Sequence, residues 1–396
     1  MTRICMVAFT DYTTDTRIRR EAEALADRGD AVDMICLREE GKEKVRMCRG
    51  VRLFQVSKGR YRGSSTLTYL VKYVEFFLLA SVWLALSHLR KPYHVIQVHT
   101  LPDFMVFVAI IPKLLGAKVI LDVHDLMPEL YQTKFGLDQS HWLLRFIIWV
   151  ERSSIGFAHR AIAVHRPHLD VLVNRGNPAE KFITLLNVPD PRMVSGRVEA
   201  DPVTDGSFRL IYHGTVAKRN GLRVALQALS SVREEIKQLN FQIVGVGEDI
   251  PHLIELAGEL DLTDCVSIHE GWVPIEELVP VLLGADVGVV PILNDEFTKY
   301  MLPVKLLEYV ALRIPVICSR TETIEAYFDD SMVAYVEPGN ADDLAEKIMD
   351  LYRNPGKRKM LAANADRFNR DYNWEEMKQR YYELIDDLTG ETDRSQ

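Results

Sequence analysis

The chain has 396 residues, 47% hydrophobic and 26% charged, with a formal net charge of -8 and a pI of about 5.8. That length asks for two or three cores rather than one, and an acidic balance with no long basic run argues against a nucleic-acid partner. The five cysteines (Cys5, Cys36, Cys48, Cys265, Cys318) form no Cys-x-x-Cys pair, which argues against a zinc site or a disulfide framework and for a reducing, cytoplasmic setting.

In chain order, the apolar run 4–9 has no basic region before it and no small-residue cleavage site after it, so it reads as a first strand rather than a signal peptide. Further strands are expected at 31–37, 52–57, 94–99, 118–124, 160–165 and 182–187, with helical spacing at 16–28, 66–89 and 103–115 between them. The theme repeats at 208–216, 241–245, 265–271, 286–292, 315–319 and 332–337. Apolar strands separated by helices indicate parallel sheets covered on both faces. The fold class is therefore α/β, with two Rossmann-like domains. The Pro- and Gly-rich stretch 188–206 has no helical period and reads as a boundary. The expected domains are 1–190, a linker 191–206, and 207–365. A C-terminal helix within 366–390, strongest at 374–388, is expected to pack back toward the first domain.

Two segments bear on membranes. Residues 76–89 contain no Asp, Glu, Lys or Arg, yet 14 residues fall short of the roughly 18 to 20 a spanning helix needs. They read as a helix buried on most sides or one lying on a bilayer surface. Residues 141–153 mix Trp142, Phe146 and Trp149 with Arg145 and Arg152, the makeup of an interfacial helix. Two helices packed inside the first domain explain both segments equally well.

Open parallel sheets bind ligands at the carboxyl ends of their strands, so the loops there carry the candidates. In Tyr212-His213-Gly214-Thr215, followed by Lys218 and Arg219, a glycine admits close backbone approach and two cations suit a diphosphate; a solvated turn is the plain alternative. Gly245 opens a Gly-x-Gly that any tight turn can use. Around Tyr300-Met301-Leu302-Pro303-Val304-Lys305, proline suits a first helical turn whose free amides favour phosphate. Lys305 and Glu308 share one helical face, where a cation for phosphate and a carboxylate for ribose hydroxyls would sit, or an ordinary exposed ion pair.

In the first half, the polar loop Thr13-Thr14-Asp15 leads into a helix holding Arg17, Arg19 and Arg20. Two strands end in histidine, at His99 and at His124, the second crowded by Asp122, Asp125 and Glu129. A neutral imidazole at a strand end can donate to a sugar hydroxyl, although most lone histidines are structural. The carboxylates lack a spacing that compels a metal.

On these residues the chain resembles a known family. TDYTTDTRIRREAEALADRGDAV, VHTLPDF, AKVILDVHDLMPELY, YHGTVAKRNGL, IVGVGED, HEGWVPIEEL, ADVGVVP and LPVKLLEYVALRIPVI occur in the order seen in family 4 retaining glycosyltransferases of the GT-B fold. The resemblance covers nearly the whole chain, with PVKLLEYVALRIPVI and HDLMPEL its most specific matches. It is nearest to bacterial members that build exopolysaccharide and other cell-envelope polysaccharides on lipid carriers. It implies two domains facing a central cleft, a nucleotide diphosphate-sugar donor, a lipid-linked glycan acceptor, and no metal or other cofactor. Glu308 would accept from the ribose, Leu302 to Lys305 (with Pro303 and Val304) would hold diphosphate and sugar, and Trp272 and Val273 would lie beside the base. Thr13 and Thr14 would close over the phosphates, and His124 would touch the sugar near its reacting carbon. With a lipid-linked acceptor the enzyme would work at a bilayer surface, and the 76–89 and 141–153 segments then make it cytoplasmic and peripheral on the cytoplasmic face of the membrane.

Three positions depart from the family pattern. Thr215 and Asn220 stand where many members carry arginine and lysine, so Arg219 with Lys218 is expected to take over leaving-group stabilisation. Tyr300 stands where many carry glutamate, which removes the usual inference about the sugar; Glu296 lies four residues earlier. Rival readings are a nucleotide-sugar 2-epimerase and a non-catalytic donor-binding subunit.

Overall fold

Alternating apolar runs and helices resolve into two parallel sheets in a computed structural model, which describes residues 1–39, 41–58, 66–194 and 206–390. One compact unit comprises Met1–Asn187 with Glu375–Gln396, the other Val188–Trp374.

The first unit holds β1 (Arg3–Val7), β2 (Ala31–Arg38), β3 (Val45–Cys48), β4 (Val51–Lys58), β5 (Val95–His99), β6 (Lys118–Val123), β7 (Arg160–Ala163) and β8 (Phe182–Thr184). They lie in the order β3-β4-β2-β1-β5-β6-β7-β8. Every residue of β1 and β5 is buried, as a parallel sheet covered on both faces requires. The chain winds outward on either side of β1, so the switch point falls between β1 and β5, and the loops after β1, β5 and β6 share the ligand-binding edge.

One strand was not expected. β3 runs antiparallel to β4 at the sheet edge, joined through Arg49 and Gly50, both at positive φ (46° and 81°). A two-residue turn of that kind closes a hairpin, and its Arg-Gly step was the available signal. The half-exposed Val-Arg-Met-Cys sequence lacks the continuous apolar run of the central strands.

Its helices include α1 (Thr16–Asp27), α2 (Thr66–Arg90), α3 (Ile110–Leu114), α4 (Met127–Phe135) and α5 (Trp142–Phe157). The helical stretch expected at 103–115 is a 3-10 segment, Asp103–Ala109, followed by the short α3. α2 corrects two expectations. It is 25 residues long, and Thr68–Arg90 is long and apolar enough, by length and composition, to cross a membrane. Nor is it buried on most sides: only 22% of its apolar window is covered.

The second unit holds β9 (Phe208–Thr215), β10 (Leu239–Val246), β11 (Val266–Glu270), β12 (Val287–Val290), β13 (Val316–Ser319) and β14 (Ala334–Val336), all parallel, in the order β11-β10-β9-β12-β13-β14. Its core gathers Phe208, Tyr212, Leu226, Phe241, Ile243 and Val289 among others. The switch point lies between β9 and β12, which directs attention to the loop after β9.

Residues 366–390 are not one helix. Pro355–Asp371 ends at Tyr372 in extended conformation and belongs to the second unit, while Trp374–Thr389 starts afresh. The latter buries its own stripe of Met377, Tyr381, Leu384 and Ile385 against the first unit. There Tyr382 Oη donates to Ala24 O at 2.7 Å, and Arg28 pairs with Asp386 at 2.8 Å. The expected linker 191–206 begins with a helical turn, Pro191–Val194, and continues outside the described residues.

Candidate functional site

In the second unit, β9 runs into Gly214 at φ +102°, a conformation side chains avoid. A Cβ there would lie 3.5 Å from Lys305 Cε, so Lys305 is the cation set against this backbone. Its Nζ donates to Tyr212 Oη at 3.0 Å and stands 4.4 Å from the ring centroid. Tyr212 is buried, and its hydroxyl donates to Thr215 O, which also accepts from Asn220 Nδ2. Asn220 therefore ties the loop shut where a cation was usual, and Lys305 has one fixed seat.

The helix Val304–Ala311 follows. Pro303 occupies its N-cap (φ -64°, ψ 127°) rather than its first turn, and no side chain caps it. First-turn amides without a capping side chain offer donors and a partial positive charge to an anion. Tyr309 Oη donates to Ile211 O at 3.2 Å, anchoring this helix to β9. One turn in from the start, Glu308 Oε2 lies 3.2 Å from His213 Nε2. Burial, then the Lys305 charge, push His213 down to about 3. The imidazole is thus neutral at physiological pH and the contact is not a salt bridge. His213 Nε2 is buried without a hydrogen bond of acceptable geometry.

Gly245, expected at the donor, has a packing reason to be glycine. It sits inside β10 in register with Gly214, and a Cβ would fall 1.8 Å from Gly214 O. Gly247 meets Val216 O in the same way, at 1.9 Å. Gly221, at φ +70°, would drive a Cβ to 1.7 Å from Pro291 O, a backbone atom that cannot swing away. Gly221→Ala is therefore expected to destabilise the second unit by about 3 kcal/mol or more, read as a lower calorimetric melting transition.

Arg219 and Lys218 lie in a 3-10 turn, Lys218–Asn220. Lys218 is exposed, and Arg219 Cζ stands 5.9 Å from the Phe297 ring, with Nε buried and unpartnered. Tyr300 closes the 3-10 turn Thr298–Tyr300, with Lys299 Nζ 5.1 Å from its ring. Glu296 is held by Lys299 at 2.6 Å and does not stand in for the missing glutamate. Leu302 and Val304 are half-buried on either side of Pro303. Trp272, 49% exposed, and the half-buried Val273 follow β11, where Gly271 N donates to Gly245 O at 3.0 Å.

In the first unit, the loop after β1 forms the 3-10 turn Tyr12–Thr14. Thr13 is half-buried, Thr14 Oγ1 donates to Asp11 O at 2.9 Å, and Asp15 caps α1 by accepting from Ile18 N at 3.2 Å. That cap assigns Asp15 to the helix. Arg17, the second residue of α1, is buried against both Asp122 and Glu21.

Asp122 is the hub of this site. Its Oδ1 takes Arg17, and its Oδ2 lies 2.9 Å from His99 Nδ1 and 3.0 Å from His124 Nε2. Burial opposes its charge, but Arg17 and the two imidazoles outweigh that and hold its carboxyl well below the usual range. His124 is opposed by burial and by Arg17, yet Asp122 raises it above its ordinary value. His99 is fully buried and so is corrected from a cleft residue to a supporting one. The side chain of His124 is 17% exposed, and with Nε2 on Asp122 its Nδ1 is the nitrogen left for a ligand. His124 N also donates to Thr100 Oγ1 at 2.9 Å. One ligand atom each from His99, Asp122 and His124 lies within 4.8 Å of the others, a spacing that can hold a metal. Here a cation would sit beside the Arg17 guanidinium, and the three side chains already lie at hydrogen-bonding distances, so the set suits hydrogen bonding better.

Asp125 is half-buried beside this cluster. Glu129 turns instead to Arg175, which also binds Glu151, so its carboxylate is committed to joining α4 and α5. Nearby, burial lifts the Asp103 carboxyl to about 8.

Sequence reasoning named Asp122 and Arg17 but not their pairing. A single carboxylate within the run Val-Ile-Leu-Asp-Val was the clue, since a buried charge needs a partner. His213 beside Glu308 was missed outright, because that approach joins a strand end to a helix 95 residues later.

Residues 13–187 match the "glycosyl transferase 4-like domain" model and residues 207–354 the "glycosyl transferases group 1" model. The amylovoran biosynthesis glycosyltransferase AmsK of Erwinia amylovora is 25% identical over 183 residues, 46% of this chain and 44% of the relative. The chain spans less than half the length of that relative. Among solved structures, sucrose-phosphate synthase of Thermosynechococcus elongatus superposes with a TM-score of 0.77 at 17% identity, covering 98% of this chain and 100% of the other. Anabaena HepE, solved in complex with UDP-glucose, gives 0.71 at 13% identity, with 98% and 100% covered. The chain belongs to the glycosyltransferases of the GT-B fold, with a glycosyl transferase 4-like domain followed by a group 1 domain.

Proposed function

We propose that the chain moves a sugar from a nucleoside diphosphate sugar to a lipid-linked glycan acceptor, with retention of anomeric configuration, in cell-surface polysaccharide synthesis. The observation that carries this reading is in the second unit: a helix start that no side chain caps, Lys305 seated on Tyr212 above Gly214, and Glu308 one turn farther in. The helix amides and Lys305 take the diphosphate, and Glu308 accepts from the ribose hydroxyls. Trp272 and Val273 lie beside the base. Arg219, whose Nε is buried and unpartnered, adds charge to the leaving diphosphate with Lys218. Fixed cations and amides then do what a divalent metal does elsewhere, so the reaction needs none.

The first unit serves the acceptor, with Thr13 and Thr14 in the loop after β1 as phosphate ligands. His124, oriented by Asp122, presents Nδ1 to a sugar hydroxyl near the reacting carbon. The acceptor oxygen attacks from the face the diphosphate leaves, and no side chain is assigned as nucleophile. The five cysteines are free, in keeping with work on the cytoplasmic side. AmsK is an amylovoran biosynthesis glycosyltransferase, and HepE was solved in complex with UDP-glucose, which supports this reading.

The test is transfer of radiolabelled sugar from a panel of nucleoside diphosphate sugars into a lipid extract, with and without a chelator. Label in a lipid-linked product of the donor's anomeric configuration, unaffected by chelator, is expected. Donor converted to an epimer without acceptor, or bound donor that is never turned over, would replace this reading with one of its rivals.

A further inference from the structure

α2 has two unlike faces. Phe76, Ala80, Leu84 and His88 are buried, and α2 packs along β4 and the 3-10 segment Asp103–Ala109, with Phe77 5.9 Å from Phe104. His88 Nδ1 accepts from Tyr93 N at 3.1 Å. On the other side, Leu70, Val74, Leu78, Val82, Leu86 and Leu89 repeat every three to four residues, each 45 to 63% exposed. That spacing is one stripe along the whole helix. α3 packs beside α2 and adds Ile110, Ile111 and Leu114, the last 81% exposed. An aliphatic surface this long is unusual on a protein that meets only water.

The helix is long enough to span a bilayer, at ~1.5 Å per residue, but its inner face is committed to the sheet. That arrangement suits a helix lying in the interface, one side in protein and the other in lipid. Charge identifies the kind of lipid. On α2 the one acidic residue, Glu75, is paired with Lys72 at 2.6 Å, and from 76 to 121 the one acidic residue is Asp103, which is buried, whereas Arg90, Lys91 and Lys118 are exposed. α5 also packs on the 3-10 segment and exposes Trp142, Phe146 and Trp149 with Arg145 and Arg152, residues that favour the headgroup region.

We propose that the outer face of α2 and α3 docks into the headgroup region of an anionic bilayer without crossing it. The proposal deepens the lipid-linked acceptor reading by naming the surface, while its evidence is exposure and charge rather than the sugar site.

The test is flotation of the purified chain with vesicles of phosphatidylcholine, alone or with phosphatidylglycerol, for wild type and for a Leu78→Glu/Val82→Glu variant. Melting and nucleoside diphosphate sugar binding are measured in parallel. Wild type is expected to float with anionic vesicles at least ten-fold better than with neutral ones. The variant should lose flotation at least ten-fold with melting and sugar binding unchanged. Equal flotation of the variant, or no preference for anionic vesicles, would overturn the proposal. So would a wild-type dimer in light scattering that the variant makes monomeric, since the face would then join two copies. Lost sugar binding with intact flotation would instead count against the donor site alone.

Discussion

Glu308→Ala is expected to lower kcat/KM for the donor by about 10²- to 10⁴-fold, and Glu308→Gln by about ten-fold. A carboxylate accepting from two ribose hydroxyls makes charge-assisted bonds of about 1.5–3 kcal/mol each, and truncation removes both. Glu308 Oε2 lies 3.2 Å from His213 Nε2, whose imidazole is driven neutral, so that contact is not a salt bridge. The loss should therefore appear in donor binding, with KM for the donor rising more than kcat falls. A Glu308→Ala enzyme with an unchanged donor KM would remove the ribose assignment.

Asp122→Asn is expected to act on stability and on rate together. The substitution takes one of two carboxylates from the buried Arg17 and weakens the hold on both His99 and His124. Breaking a buried pair by removing one partner costs about 3–5 kcal/mol, here lessened because Glu21 stays with Arg17. The pH dependence separates the parts. Asp122 is depressed on folding, so its stabilisation is present above the ordinary carboxylate value of about 3.9 and is lost as pH falls toward the folded value. His124 is raised, so its stabilisation is full below about 6.5 and is lost as pH rises through the folded value. The variant should flatten the melting profile in both windows, and the His124 NMR titration should move to lower pH. Turnover should fall about 10²-fold as the ring loses its fixed orientation. A drop in stability with His124 titrating as before would leave Asp122 a purely structural residue.

The sheet strands were legible because a parallel sheet buries both faces and leaves uninterrupted apolar runs. β3 was not, since a half-exposed edge strand carries little apolar signal. The same limit applies to α2: composition marks it as apolar, but the commitment of Phe76 and His88 to the sheet, with Leu78 and Val82 outward, is a property of packing. In the candidate site, the Lys305 and Glu308 spacing could be read because a helix fixes it locally. The duties of Gly245, His99 and Glu129 depend on what crosses them in space: a neighbouring strand, a buried aspartate, and Arg175 from 46 residues away. Single-residue chemistry pointed to ligand roles for them, while the tertiary contacts show each packed or paired within the protein.

Calorimetric titration of the purified chain with nucleoside diphosphate sugars, wild type against Lys305→Ala, tests the pyrophosphate site most directly. The expected result is one site per chain, with at least ten-fold weaker affinity in the variant and little affinity for the matching nucleoside monophosphate. Folded wild-type protein that binds no nucleoside diphosphate sugar, or binding that Lys305→Ala leaves unchanged, would contradict it.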